Sequence, residues 1–423
     1  MTPTLGARLQ AFDGRVRRYA RDVANTLSAE IVSVASLSIT FPVTIRGLGA
    51  ELYGKYTVLY LVFGLAGLWV YAAPSAAAVQ LVLQLEHDPR AVLRLGRRQM
   101  LVAVVPVSVG GTAICVAILG GGILAPALLV LGVDFLFTSV TNLNLAIVFS
   151  VDGVVRSARI RMLQPVLRAA GVGALALGDR ITILTLVGVN VLASIAVLAV
   201  SSRAVCRCVP AGGHGTDLGA RHLLRYSSYY ATSMSTNAVE DEGEKFVLAA
   251  TRPAAEIGQY AAAYRVVSMA FIPLSAVITA ANRRFMKRDA RPGAQLQRTA
   301  RLSVPTAAYG IVAGIAIILG RGIVQWVAGS KFPDAGLMST WLCLLPLVHG
   351  LAEIPPMGLL GLGRNRARVM MGFVNSAIAL VAYLALVPTL GWRGGVIGTY
   401  ISEGVGVVLG WYLLRRYQRR ADG

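Results

Sequence analysis

Hydrophobic residues in this chain come in long runs separated by short polar segments. The runs are about 20 residues long, enough for a helix to cross the ~30 Å hydrocarbon core of a bilayer. The pattern predicts an all-α polytopic membrane protein with about twelve transmembrane helices, at roughly 24–45, 56–78, 100–120, 123–148, 162–178, 181–201, 226–250, 256–281, 302–326, 336–360, 367–388 and 395–414. The seventh of these spans is the most polar.

Two similar strings lie half a chain apart, each between consecutive apolar runs. Residues 54–60 (GKYTVLY) and 258–264 (GQYAAAY) share the pattern Gly-x-Tyr-x-x-x-Tyr, and an acidic-aliphatic pair precedes each. The second half of the chain therefore looks like a copy of the first, as is typical of transporters. Because each half has six spans, the sequence predicts two parallel six-helix pseudo-repeats around a central cavity.

The repeated residues suggest how each copy turns between consecutive spans. Gly54 and Gly258 are expected to permit a close turn or a positive φ. The tyrosines are expected to anchor the outer interface at i,i+4 spacing: Tyr56 with Tyr60, and Tyr260 with Tyr264.

The polar segments divide the chain into four parts. Residues 1–22 form a basic cytoplasmic juxtamembrane segment, and residues 23–201 form the N-terminal six-helix half. Residues 202–222 form a cytoplasmic linker, and residues 223–423 form the C-terminal half with its basic tail.

Composition agrees with this interpretation, and the distribution of charge orients it. Hydrophobic residues make up 56% of the chain and charged residues 14%, with a mean hydropathy of +0.64. With both termini in the cytoplasm, the inner segments hold 30 of the 40 basic residues, whereas the outer turns hold seven. This is the positive-inside asymmetry. The net charge of +20 therefore indicates contact with anionic membrane lipids rather than with nucleic acid.

Several short motifs resemble those of a known family. Residues 46–56 (RGLGAELYGKY) look like the signature that closes the first span of bacterial polysaccharide (O-antigen type) flippases. These flippases share a superfamily with the MATE multidrug exporters and the lipid II flippases. Further similar motifs follow in the family's order: Asp241 in span seven, 256–265 at the start of span eight, 329–335, 360–364 and 390–395.

This resemblance implies a function, a cargo and a location. The family's members are flippases that move a polyprenyl-pyrophosphate-linked oligosaccharide from the inner to the outer leaflet by alternating access. They act in cell-surface polysaccharide biosynthesis, in the bacterial cytoplasmic membrane, and other polysaccharide assembly proteins are their expected partners. No catalytic residue, cofactor or bound metal is implied.

Cations inside the spans are candidate ligands for the pyrophosphate, because charge inside a membrane is costly and usually marks function. Arg265 is the first candidate, with snorkelling to the outer face as its alternative. Lys245 either contacts cargo or pairs with Asp241 one turn earlier. Arg168 either contacts cargo or snorkels to the cytoplasm, and Arg46 is a further candidate.

Acidic residues are candidates for proton or sodium coupling. Glu240 and Glu244 share one face of span seven, and Asp241 lies beside them. Several carboxylates near the midplane cannot all remain ionised without cations; alternatively, they lie at the outer interface. Glu353 is the best of the single carboxylates, because His349 precedes it by one turn and Pro355-Pro356, expected to kink span ten, follows.

Two other classes of protein compete with the flippase. An ion-coupled drug or organic-cation antiporter of the same fold would need a mostly acidic, aromatic-lined cavity, which span seven fits in part. An oligosaccharide polymerase or ligase, the less favoured alternative, would need a long outer loop and paired catalytic motifs, and the chain shows neither. The sequence therefore favours a transporter over an enzyme.

Overall fold

Helices form both compact units of the protein. The computed structural model describes residues 5–209, 219–285 and 293–422, with side chains from residue 31 to residue 420 except Ala220, Ala276 and 279–284. One unit comprises residues 1–47 and 62–232, and the other comprises 48–61 and 233–423. The side chains of the expected juxtamembrane segment 1–22, and residues 210–218 of the expected linker, lie outside the described residues.

The first unit is built from helices of the N-terminal half. Its helical elements in chain order are α1 Leu5–Gly67, a π-helical turn Leu68–Ala72, α2 Ala73–Leu83, α3 Pro89–Leu119, a 3₁₀ turn Gly121–Ile123, α4 Leu124–Ala127, a π-helical segment Leu128–Asp134, α5 Phe135–Asp152, α6 Val154–Leu177 and α7 Ile183–Cys208. Its core lies between α2, α3, α5 and α7, where Leu81, Met100, Leu143 and Ile147 are fully buried.

The second unit holds the remaining helices. They are α8 Ala220–Thr251, α9 Ala254–Ser268, α10 Phe271–Phe285, α11 Ala294–Leu319, α12 Arg321–Ala328, α13 Ala335–Trp341, α14 Leu345–Gly361, α15 Asn365–Leu390 and α16 Trp392–Asp422. The first turns of α8 belong to the first unit, and residues 48–61 of α1 belong to the second.

Fewer than twelve of the described helices are both long enough and apolar enough to cross a membrane. Among the described residues, eight helical segments are long and apolar enough to cross a membrane, or nine if the bent pair α13–α14 is one span. One of the eight, Ile31–Leu83, contains the second expected span and residues 31–45 of the first. The expected seventh and eighth spans do not pass, because α8 is dense in charge and α9 and α10 are short.

The helix break in span ten lies upstream of the expected place. α13 and α14 meet at an angle of 40°, across residues 342–344. Pro346 lies in the first turn of α14, where its missing N–H costs no hydrogen bond. Pro355 and Pro356 lie inside α14, downstream of this bend.

The first turn between spans forms at Gly49 rather than at Gly54. Gly49 has φ 73° and ψ 172°, so it breaks α1 into two helical arms. Neither Gly54 nor Gly258 has a positive φ, which corrects the expectation for both positions. A residue with a side chain would be strained at Gly49, because its backbone conformation favours glycine.

Gly54 and Gly258 instead allow two helices to touch. A Cβ built on Gly54 would overlap the carbonyl oxygen of Ala254, and one built on Gly258 would overlap that of Ala50. Each of these alanines lies four residues before the other copy's glycine, so the two strings contact each other in a nearly symmetric way. Small residues permit such close backbone contact between membrane helices.

The repeated tyrosines lie inside the second unit instead of anchoring an interface. Tyr56 is 7% exposed and Tyr260 is fully buried, which corrects the expectation of an outer belt. The ring centroids of Tyr56 and Tyr60 are 4.7 Å apart, and those of Tyr260 and Tyr264 are 6.1 Å apart. Because Gly54 and Gly258 allow close helix packing, the tyrosines that follow them lie in the interior of the unit.

Residues at the junction of α8 and α9 contact the hairpin of α15 and α16. Arg252 donates to the carbonyls of Val387 and Pro388 near the end of α15. Glu256 accepts from the backbone N–H of Trp392 at the start of α16, at 2.8 Å. A cation at a helix C-terminus and an anion at an N-terminus both satisfy unpaired backbone groups and oppose the helix dipole.

Large apolar side chains on the helix exteriors are exposed, as in a protein solvated by lipid. Examples are Leu177, Leu319, Trp326 and Val408. A water-soluble monomer rarely exposes so much apolar surface. Together with the apolar helices, this confirms the predicted all-α polytopic membrane protein.

The glycine contact generates a stability prediction. Gly54→Ala and Gly258→Ala should each lower the thermal stability of the purified protein, by about 1–3 kcal/mol, because the added methyl group meets backbone that cannot move aside. Gly64→Ala is the matched control on the same helix, since a Cβ there meets nothing within 4 Å. Equal melting temperatures for all three variants would contradict the contact.

Candidate functional site

The carboxylate of Glu240 on α8 is held by two side chains of α15. Asn375 Nδ2 donates to Glu240 Oε2 at 2.8 Å, and Ser376 Oγ lies 2.8 Å from Oε1. Tyr383 lies two turns further along α15. Its hydroxyl donates to the backbone carbonyl of Glu240 at 3.2 Å and contacts Thr399 of α16. The Oδ1 atom of Asn375 is buried without a hydrogen-bond partner in the described structure.

Lys245 and Glu244 form a separate, buried ionic cluster on α8. Glu244 is 1% exposed and Lys245 is 5% exposed. The Lys245 ammonium lies 2.7 Å from Glu242 Oε2 and 3.5 Å from Glu244 Oε1, and it lies 3.8 Å above the ring of Tyr264. It also donates to the backbone carbonyl of Asp241 at 3.0 Å.

These contacts settle how Lys245 is used locally. Its ammonium contacts the backbone carbonyl of Asp241 and the carboxylates of Glu242 and Glu244, while its interaction with the Asp241 side chain is electrostatic and without a close ion pair. A cation satisfied in this way, in a buried position, is placed to neutralise Glu244. We therefore assign it a structural role.

A second polar group lies between α8, α14 and α16. His349 Nδ1 is 2.7 Å from Glu403 Oε1, and the His349 ring stacks on Phe271 with centroids 4.8 Å apart. Asp241 and Glu353 are exposed and interact electrostatically with His349. The structure thus brings together Asp241 and Glu353, two of the predicted coupling residues, near the His349–Glu403 pair.

The predicted cations lie in different places. Arg265 is exposed on α9 of the second unit, whereas Arg46 is exposed on α1 in the first unit. Arg168 is half-buried on α6 and interacts electrostatically with Asp134. Asp134 ends the π-helical segment and accepts from Ser194 Oγ at 2.5 Å.

Several residues of these sites were missed from the sequence. Asn375 and Ser376 contact Glu240 of α8 from a helix more than 100 residues away in the chain, and Glu403 interacts with it electrostatically. Asn375 and Ser376 interrupt an apolar run in span eleven, and this was the available signal. Glu403 makes a helix-helix contact with His349 instead.

The geometry offers no cluster of classical metal ligands. Within the described ranges, no group of three or more His, Cys, Asp and Glu residues could hold a metal ion. The oxygen atoms around Glu240 are instead of the hard type that alkali cations prefer: a carboxylate, a hydroxyl and an unpaired amide carbonyl.

Solved structures with the same architecture cover nearly the whole chain. A multidrug-resistance MATE transporter of the MOP superfamily, in an inward-facing conformation, shares 13% identity over 92% of this chain and 98% of its own, with a TM-score of 0.70. The lipid II flippase MurJ, in an inward closed conformation, shares 12% identity over 95% and 90%, with a TM-score of 0.72. A MOP-superfamily transporter from Pyrococcus furiosus with a binding pocket of reversed polarity shares 13% identity over 95% and 96%, with a TM-score of 0.60.

The chain has the fold of the MOP-superfamily transporters. Identities this low establish shared architecture rather than shared cargo. These solved structures are transporters and a flippase rather than enzymes. No family model and no curated protein sequence matches the chain.

The Lys245 cluster generates a prediction that separates structure from transport. Lys245→Met should destabilise the protein by about 3–5 kcal/mol, because it leaves Glu244 buried and unpaired. Adding Glu244→Gln should restore part of that loss. Melting temperatures and folded yield in detergent measure both effects.

Lys55→Met is the matched control for this prediction. Lys55 also lies 2.7 Å from a glutamate, Glu51, but the pair is exposed to solvent. Its loss should change stability by at most about 1 kcal/mol. A Lys245→Met protein as stable as wild type but inactive in transport would instead assign Lys245 to the cargo.

Proposed function

We propose that the protein is a flippase that moves a polyprenyl-pyrophosphate-linked oligosaccharide from the inner to the outer leaflet of the bacterial cytoplasmic membrane. Both termini then lie in the cytoplasm, and the basic inner segments contact anionic lipids. Other polysaccharide assembly proteins supply and consume the cargo. The proposal combines the MOP-type fold with the ordered motifs that resemble O-antigen flippases.

The observation that carries the proposal is the charged surface of α8, α14 and α16. Asp241 and Glu353 are exposed there, and the His349–Glu403 pair is close by. Ionised groups facing hydrocarbon are costly, so this surface is expected to border water. A flippase needs such a water-lined path, because the glycan and the pyrophosphate cannot pass through lipid while the polyprenyl tail remains in it.

Glu240 is the best-supported residue for ion coupling. Its carboxylate, the Ser376 hydroxyl and the unpaired Asn375 Oδ1 could together surround a sodium ion, and a proton could replace it on Glu240. Because the Glu240 ligands come from α8 and α15, binding there would tie two helices of one unit together. Asp241, rather than the buried Glu244, is accessible to a second coupling ion.

Arg265 remains our candidate ligand for the pyrophosphate. It is exposed although it lies inside the expected eighth span, and a guanidinium binds phosphate oxygens with two parallel hydrogen bonds. Lys245 is removed from this role by its buried contacts. Arg46 and Arg168 are the next candidates.

One observation favours the drug or organic-cation antiporter. The surface around His349 is rich in acidic groups and includes Phe271, an arrangement that also suits an organic cation. The two functions differ in the sign of the cargo charge. A deletion strain distinguishes them directly.

The first functional prediction concerns the lipid-linked intermediates of the deletion strain. Loss of the gene should cause complete oligosaccharide repeat units on polyprenyl pyrophosphate to accumulate in the inner leaflet, because synthesis continues while translocation stops. Extraction and mass spectrometry of the lipid fraction measure this accumulation. A normal lipid pool with increased sensitivity to cationic dyes would favour the antiporter.

The second functional prediction concerns Arg265 in the same strain. Arg265→Ala should fail to restore translocation, since losing a desolvated partner of the cargo costs about 2–5 kcal/mol of binding. Arg265→Lys should restore it partly, because the charge survives without the bidentate geometry. Arg321→Ala, at another exposed arginine of the second unit, is the control. Full transport by Arg265→Ala at normal expression would exclude this site.

A further inference from the structure

The first unit contains a cavity of about 310 Å³ between α5, α6 and α7. Polar side chains make up most of its lining: Thr138, Thr141, Asn142, Arg161, Gln164 and Ser194. None of the described residues lining it is acidic or aromatic. The volume is at the lower end of the ~300–1,000 Å³ range of ligand pockets, so the cavity accommodates one ring-sized group rather than an oligosaccharide.

A chain of hydrogen bonds orients one wall of this cavity. Gln164 Nε2 donates to Ser194 Oγ at 3.4 Å, and Ser194 donates to Asp134 at 2.5 Å. The Thr138 hydroxyl also points to Asp134, at 3.5 Å. Asp134 does not line the cavity itself, but it accepts from the hydroxyls of Thr138 and Ser194 and so fixes the direction in which both donate.

Acceptors remain available after these bonds are made. Asn142 uses its Nδ2 on the Thr138 carbonyl at 2.9 Å, which leaves its amide oxygen for a ligand. Gln164 likewise uses its amide nitrogen on Ser194 and retains its oxygen. Two carboxamide oxygens on one cavity wall require a ligand that donates hydrogen bonds.

Donors are available on the same cavity. Thr141 is 6% exposed, and its hydroxyl has no hydrogen-bond partner among the described residues. A buried hydroxyl without a hydrogen-bond partner is destabilising, and a ligand oxygen that accepts from it removes that penalty. Arg161 adds a full positive charge at the entrance, where it is exposed.

The combined donors and acceptors define the ligand class. A bare inorganic anion would leave the carboxamide oxygens unsatisfied, and an organic cation would meet Arg161 without any aromatic or acidic partner. Hydroxyl groups both donate and accept, and Leu145 and Val197 provide an apolar wall for a ring's C–H face. Arg161 favours an acidic substituent on that ring.

We propose that this cavity binds one monosaccharide unit bearing an acidic group, as a glycan subsite in the first unit. The choice of a sugar rests on the proposed function; the donor and acceptor arrangement does not. On the expected topology, the cavity lies in the inner half of the membrane, where the cargo is loaded. It would make the protein selective for glycans that contain an acidic sugar.

The experiment is calorimetric titration of the purified full-length protein with small probes. Glucuronate, galacturonate and glucose 1-phosphate are compared with neutral glucose and with the cation tetraphenylphosphonium. At least one acidic sugar should bind about tenfold or more tightly than glucose, because its acidic group makes a charge-assisted hydrogen bond with Arg161. Absence of binding by all three acidic sugars, or equal binding of glucose, would overturn the proposal.

Variants locate the binding. Thr141→Val preserves the shape of the side chain and should weaken acidic-sugar binding about fivefold to tenfold. Arg161→Gln should weaken it about tenfold or more and remove the preference over glucose. Arg159→Gln is the control, since Arg159 is exposed on the same helix and does not line the cavity. Wild-type binding by both lining variants would place the sugar elsewhere and refute the subsite.

This test is distinguishable from the test of the flippase. Sugar binding that is weakened in Thr141→Val, together with a normal lipid pool in the deletion strain, would retain the subsite and reject the flippase. Accumulated lipid-linked oligosaccharide, together with no sugar binding and full complementation by Thr141→Val, would retain the flippase and reject the subsite.

Discussion

The constraint on which this structure depends is that hydrocarbon offers no partner for a charge. Five charged residues lie within six positions of α8, so the protein itself must satisfy them. It does so in three ways. Glu240 receives hydrogen bonds from α15, Glu244 is neutralised by Lys245, and Asp241 remains exposed near His349 and Glu403. The packing of α9, α14, α15 and α16 around α8 follows from this requirement.

The division of roles along α8 has a functional consequence. Lys245 and Glu244 are fully enclosed and compensate each other, so they can hold the helix in place without exchanging partners. Glu240 and Asp241 lie one turn earlier, where one carboxylate has polar ligands and the other is accessible. The same short segment therefore combines an enclosed ion pair at one end with the residues proposed for ion coupling at the other.

The two units carry different chemistry. The second unit concentrates acidic groups with one histidine, whereas the cavity of the first unit is lined by hydroxyls, carboxamides and an arginine. The proposed ion coupling draws on the acidic groups of the second unit, and the proposed glycan subsite draws on the cavity of the first.

Much of the architecture could be predicted from the sequence, because membrane helices are recognisable from the length of their apolar runs and from the distribution of charge between them. The helical class and the internal repeat followed from such local patterns, and so did the charged segment of α8. The count of twelve spans was less secure, because α8 owes its place to partners on other helices rather than to its own hydropathy. The helices α9 and α10 do not qualify as spans because each has only 15 residues.

The candidate site could be predicted only in part. The acidic residues were found because charge in an apolar chain is conspicuous. Whether each one is buried, hydrogen-bonded or exposed depends on which helix faces its side chain. The sequence by itself determined that Gly54 and Gly258 are equivalent and that α8 carries a dense charged segment. Only the tertiary structure decided that the glycines are contact points rather than turns, and that Lys245 belongs to Glu244. It also placed Asn142, Gln164 and Ser194 around one cavity. Helix packing brings together side chains that are distant in the chain, and no local pattern records which of them will meet.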